Sequence, residues 1–122
     1  MKGYETICIL HPDLVEDAVK SALERFGGIV AASGGEVRKS ENWGQRKLAY
    51  KVHGQVRGTF LYLLYEGPAV AVNELERNLR ITEEVVRYMT VKVDSTEEAA
   101  KVKPQLLDDP TLSFQESGHG QF

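Results

Sequence analysis

Cysteine is nearly absent from this chain of 122 residues, which has one, Cys8. A single thiol makes no intramolecular disulfide, so a stapled, secreted scaffold is excluded. Cys8 sits in the apolar run Thr6, Ile7, Cys8, Ile9, Leu10 and reads as a small buried hydrophobe. Long apolar runs are missing as well. None approaches the roughly 18 residues of a membrane span. Lys2 near the start is followed by no apolar stretch with a small-residue cleavage pattern, so no signal peptide is expected and the cytoplasm is the expected location. Histidine is scarce. His11, His53 and His119 lie far apart, with no metal-ligand spacing. Walker loops, paired-glycine dinucleotide fingerprints and nucleophile elbows are absent. No catalytic residue, metal, cofactor or small-molecule substrate is therefore expected. A basic excess is missing too. Fifteen Lys and Arg stand against eighteen Asp and Glu, a net charge of −3. Taken whole, that balance argues against a nucleic-acid binder.

What is present is a globular composition, 42% hydrophobic and 27% charged, in a length that suits one domain with a tail. The charge is unevenly placed. Residues 1–94 carry thirteen basic and thirteen acidic side chains, so the whole net charge lies in residues 95–122. That end contains Pro104 and Pro110, unperiodic apolar residues and the closing Ser117-Gly118-His119-Gly120. It is expected to be an acidic, flexible tail with at most a helical turn near residues 97–102.

Within 1–94, residues 4–11 predict a strand stopped by Pro12. Asp13 and Glu16 have the spacing of a capping box. Leu14, Val15, Ala18, Val19, Ala22, Leu23 and Phe26 then recur at helical spacing. Ile29 and Val30 carry that stripe past Gly27-Gly28, so the helix should reach about Ala32 and stop at Gly34-Gly35. An extended segment from Glu36 to His53 is divided at Trp43-Gly44, with Gly54-Gln55 as a hairpin turn. The apolar strand 59–65 should be central. Pro68 opens a second helix with Val72, Leu75 and Leu79 on its apolar face. The last strand is 85–93, with Met89, Val91 and Val93 on one face and Tyr88, Thr90 and Lys92 on the other. The order β-α-β-β-α-β is the α+β, ferredoxin-like split βαβ: a four-stranded antiparallel sheet with two helices on one face and the other face uncovered.

Residues 36–57 hold Arg38, Lys39, Arg46, Lys47, Lys51 and Arg57 against Glu36 and Glu41, a local net charge of +4. Trp43, Tyr50 and His53 are interleaved with them. Basic side chains neutralise phosphates and planar rings stack on unpaired bases. The same pattern also describes a strand edge protected from aggregation by charge.

The stretch Asn42-Trp43-Gly44-Gln45-Arg46-Lys47-Leu48-Ala49-Tyr50-Lys51-Val52 contains Trp-Gly-x-Arg-x-Leu-Ala-Tyr, which resembles the hallmark of the bacterial small-subunit ribosomal protein of the S-six type. Tyr4-Glu5, His11-Pro12-Asp13, Leu79-Arg80-Ile81 and Val86-Arg87-Tyr88-Met89 match in order. The resemblance covers about residues 1–94. It implies a structural, non-enzymatic part of the small ribosomal subunit. It further implies binding to the central domain of the small-subunit ribosomal RNA jointly with a small basic ribosomal protein of the S-eighteen type. On that basis Lys2, Arg46, Lys47, Arg80, Arg87 and Lys92 are candidates for phosphate contact, with Trp43, Tyr50 and Lys51 beside them. Arg80 and Arg87 have Glu83 and Glu84 as alternative partners, and Trp43 is either a packed anchor for its loop or part of the contact surface.

Three rivals share the element order. A generic RNA-recognition motif would follow Arg57-Gly58 with stacking aromatics, but Thr59 and Leu61 stand at those positions, and Phe60 and Tyr62 point to the opposite face. An acylphosphatase-type enzyme needs an anion cradle after the first strand, where Asp13 would repel a phosphate. A small-ligand sensor domain is disfavoured by the Trp43-to-Tyr50 motif alone.

Overall fold

Alternation along the first strand sorts its side chains into two cores. A computed structural model describes residues 2–52, 55–94 and 115–116. Its elements are β1 (Lys2–Leu10), α1 (Glu16–Ala32), β2 (Glu36–Val52), β3 (Gln55–Gly67), α2 (Ala69–Ile81), β4 (Val85–Val93) and β5 (Gln115–Glu116). The strands form one antiparallel sheet in the order β2-β3-β1-β4-β5. Its first four strands and two helices are the expected ferredoxin-like arrangement. The two-residue β5 adds to the β4 edge, with Arg87 opposite Glu116 and Tyr88 opposite Gln115.

Cys8 and Leu10 of β1 join Leu61, Leu63 and Tyr65 of β3 and Tyr88 of β4 under the helices. From above, Val19, Ala22, Phe26 and Val30 of α1 and Leu75 and Leu79 of α2 close this core. Each fully buried Leu or Phe contributes about 1.5–3 kcal/mol relative to exposure, which fixes the helix faces despite Gly27 and Gly28. Three strands are also pinned by hydroxyls. Thr6 Oγ1 lies 2.9 Å from the Tyr65 hydroxyl and 2.8 Å from Thr90 Oγ1.

The odd-numbered residues of β1 face the other way. Ile7 and Ile9 are buried with Phe60, Tyr62, Leu64, Val86 and Met89, and Trp43, Leu48, Val91 and Val93 pack against them. No described helix covers this face. Its central side chains are nevertheless buried, so the expected open face is a second apolar core rather than a bare surface.

Local differences from the sequence expectation have local causes. Helix α1 begins at Glu16 with Val15 as N-cap and no side-chain capping bond. Asp13 does not cap it, because it belongs to the turn after β1: its N–H donates to His11 Nδ1 at 3.3 Å. Glu16 and Asp17 still place carboxylates in the first turn, where the helix dipole favours them. The helix ends where Gly34 takes a φ of +88°. There Gly35 N–H donates to the Val30 carbonyl at 2.9 Å and Gly34 N–H to that of Ala31 at 3.2 Å, a Schellman closure. Trp43-Gly44 does not divide β2. It forms a bulge inside one continuous strand: the register slips between Asn42 and Gly44, and Gly44 has a φ of +79°. Gln55 belongs to β3, opposite Val52, so the expected Gly54-Gln55 turn falls instead on residues 53–54, outside the described residues. The expected flexible tail, apart from β5, also lies outside them.

Candidate nucleic-acid interface

Strand lengths create the site. β1 ends at Leu10, opposite Thr59 of β3, and Thr59 lies opposite Gln45 of β2. Beyond that row β2 and β3 pair only with each other, through Arg46 opposite Gly58, Lys47 opposite Arg57 and Val52 opposite Gln55. The result is a two-stranded arm projecting past the end of the sheet.

The basic charge of β2 is treated differently at its two ends. Near the start, Arg38 pairs with Glu36 at 3.2 Å and with Glu66, and Lys39 pairs with Glu41 at 3.6 Å. Those cations are neutralised within the fold. On the arm, Arg46, Lys47 and Arg57 are all exposed, and no acid among the described residues forms an ion pair with them. The local excess read from the sequence is thus concentrated at the projecting end.

Successive strand residues point to opposite faces. Arg46 therefore shares the side of Gly58, where an added Cβ would meet the Ile9 side chain and approach Leu48. Lys47 and Arg57 share the other side, directly opposite each other. Like charges so placed repel, at a cost of a few tenths of a kcal/mol to about 1 kcal/mol. Arg57 is absent from the candidate set drawn from the sequence. The signal that finds it is the hairpin register, which the family-like motif in β2 does not encode.

The other candidates are spread out. Trp43 sits at the base of the arm, its ring stacked on Tyr62 with centroids 4.7 Å apart and planes inclined by 16°. Its Nε1–H donates to Glu41 Oε1 at 3.1 Å. Glu5 in turn accepts the Tyr62 hydroxyl. Burial, followed by this bond, pushes the Tyr62 phenol well above its ordinary pKa. Trp43 is thus a packed anchor. Tyr50 and Lys51 are in β2, but their side chains lie outside the described residues. Arg80 is in the last turn of α2, and its Nη1 donates to the Tyr88 hydroxyl at 3.2 Å rather than to Glu83 or Glu84. Arg87 is half-buried on β4 beside Ile9. Both lie at the end of the sheet from which the arm projects, two strands away. Lys2 and Lys92 are exposed at the opposite end, where Lys2 lies opposite Gly67 and Lys92 opposite Tyr4.

The rival chemistries find little here. Phe60 and Tyr62 are on the helix-free face after all, but they are 5% and 3% exposed, so neither ring is available to stack on a base. The turn after β1 presents the exposed Asp13 carboxylate 3.6 Å from His11 Nδ1, not an anion cradle. Burial raises the pKa of the Cys8 thiol, which keeps it protonated and inert. Among the described residues no group of acids, histidines and cysteine can hold a metal, and no helix is long and apolar enough to cross a membrane.

Comparisons with known proteins agree on one family. The family model for ribosomal protein S6 matches residues 3–92. The small ribosomal subunit protein bS6 of Trichlorobacter lovleyi is 43% identical over 106 residues, covering 85% of this chain and 87% of that one. The bS6 protein of Rhodospirillum centenum is 44% identical over 98 residues, which are 80% of this chain and 60% of that longer protein. Among solved structures, the 30S ribosomal protein S6 of Thermotoga maritima superposes with a TM-score of 0.74 at 26% identity, covering 82% of this chain and 94% of that one.

Proposed function

The chain belongs to the ribosomal protein S6 family of structural, non-enzymatic proteins of the bacterial small ribosomal subunit, and we propose that it holds small-subunit ribosomal RNA through its β2–β3 arm, together with a small basic ribosomal protein of the S-eighteen type. The observation that carries this is the exposed charge of Arg46, Lys47 and Arg57 on a projecting ribbon, with which no acid among the described residues pairs, while the remaining cations of β2 with described side chains are neutralised nearby. Single exposed cations are ordinary on a folded surface, whereas three set together with no described acid beside them make a local positive patch. Such a patch on the projecting arm suits phosphate contact.

The neutral balance of residues 1–94 supports joint rather than solitary binding. Affinity for RNA grows with the number of phosphates neutralised, and one small arm neutralises few. A basic protein partner supplies the remainder. Lys2, Lys92, Arg80 and Arg87 extend the contact surface only if the RNA or the partner wraps around the sheet.

The test is binding to small-subunit ribosomal RNA, with and without the basic partner, across a salt series. Weak binding alone, and tight binding of the pair with a steeper fall in affinity as salt rises, is expected. Tight, salt-insensitive binding by this chain alone would contradict the proposal. Reversal of Arg46 and Lys47 to Glu should weaken assembly into reconstituted particles while the circular dichroism spectrum stays unchanged.

A further inference from the structure

From the placement of charge on the arm we infer that the β2–β3 ribbon enters a cleft between two phosphate backbones of the RNA, rather than lying flat on one. This rests on the RNA-binding role proposed above and specifies its geometry.

Arg46 projects on the side of Gly58, Ile9 and Leu48, whereas Lys47 and Arg57 project together on the opposite side. A ribbon docked flat on a single backbone gains from cations on one side only. Charge on its other side would then face solvent and merely add repulsion.

The second observation is the direct opposition of Lys47 and Arg57. Cross-strand like charges are unfavourable in the free protein, and no described acid relieves this pair. A phosphate seated between an ammonium and a guanidinium turns that repulsion into two charge-assisted hydrogen bonds. The opposite side carries one cation, Arg46, whose planar fork grips a phosphate in two places. Each side of the ribbon therefore has its own phosphate-binding element.

The third observation is reach. The ribbon pairs with no residue of β1 from Arg46 and Gly58 outward; Ile9 and Leu48 pack beside Gly58 on one side, but Arg46 is itself exposed there, as Lys47 and Arg57 are on the other. The major groove of regular duplex RNA is too deep and narrow to admit a two-stranded ribbon, so the cleft must be one opened where helices meet or pairing is interrupted. An RNA junction that brings two backbones together fits this display. A single-stranded segment does not.

The experiment is backbone footprinting by hydroxyl radicals on small-subunit ribosomal RNA, using the full chain with its basic partner. Wild-type protein should protect two separate backbone segments. Arg46→Gln should release one of them, and the double variant Lys47→Gln/Arg57→Gln the other. The salt slope of binding should fall by about 1 for the single variant and about 2 for the double, with affinity lowered about three- to tenfold in each case. Lys47→Arg, which keeps the charge, should retain both footprints and so controls for folding. The inference is overturned if both variants release the same segment, or if either leaves footprint and salt slope unchanged. It is also overturned if the variants weaken only the contact with the protein partner. Failure of the wild-type pair to bind the RNA at all would remove the underlying role as well, and is distinguishable because no footprint then appears.

Discussion

The indole of Trp43 lies on the ring of Tyr62, 4.7 Å between centroids, and this stack ties the bulge of β2 to the helix-free core. It is the sole tryptophan of the chain. Trp43→Ala should cost about 1.5–3 kcal/mol, because a half-buried ring and its stacking are lost together. Trp43→Phe keeps a ring but loses the bond to Glu41, and should cost about 1 kcal/mol. Urea denaturation followed by circular dichroism measures both. Equal stability of the Ala variant would remove the anchoring role.

Glycines in and after α1 should respond in opposite directions. A Cβ at Gly28 would meet nothing within 4 Å, and the residue is mid-helix and exposed. Gly28→Ala should therefore stabilise by about 0.5–1 kcal/mol. A Cβ at Gly35 would lie 2.8 Å from Val30 Cγ1 and 2.9 Å from the Glu66 carbonyl oxygen. Gly35→Ala should destabilise by about 1–3 kcal/mol, since backbone cannot step aside cheaply. Thermal unfolding of the two variants, with midpoints moving apart, is the check.

Much of the fold is legible in the amino-acid sequence because strong periodic burial overrides weak local signals. The stripe through Ile29 and Val30 carries α1 across Gly27-Gly28 as far as Ala32, as expected. The stop at Gly34 follows from its left-handed backbone. Pattern reading loses the bulge at Trp43-Gly44, because an extra residue breaks a period of two just as a strand end does. It also loses Arg57. A motif within one strand carries no information about which residue stands opposite Lys47, and only the hairpin register does. The scatter of Lys2 and Lys92 away from the arm likewise follows from strand direction and register, which put the start of β1 and the end of β4 at the other end of the sheet.

Alkaline pH should unfold the protein through its buried phenols. Burial pushes the Tyr65 hydroxyl up to about 12, offset in part by its bond with Thr6. In the unfolded chain the same group titrates near 10. Its contribution to stability is therefore complete below about pH 10 and is lost as pH rises toward 12, in all about 2–3 kcal/mol. Tyr62, raised by burial and by Glu5, acts in the same direction. Urea midpoints should fall across this window in the wild type and fall less in Tyr65→Phe. Parallel curves for the two proteins would show that another group dominates.

Deletion of residues 95–122 removes all of the net negative charge and, with it, β5 from the edge of β4. The two effects differ in size. β5 contributes only the pairs Arg87–Glu116 and Tyr88–Gln115, at a strand whose other edge is held along its whole length by β1. Loss of so short an edge should lower stability by no more than about 1 kcal/mol. The charge acts at longer range, since like-signed side chains repel the phosphate backbone before contact. The truncated chain, with its basic partner, should therefore bind small-subunit ribosomal RNA as tightly as the full chain or slightly tighter. The difference should shrink as added salt shortens the screening length from about 10 Å at 0.1 M. A tenfold or greater loss of affinity at low salt would instead make the tail a contact arm, with its acids directed at the basic partner rather than away from the RNA.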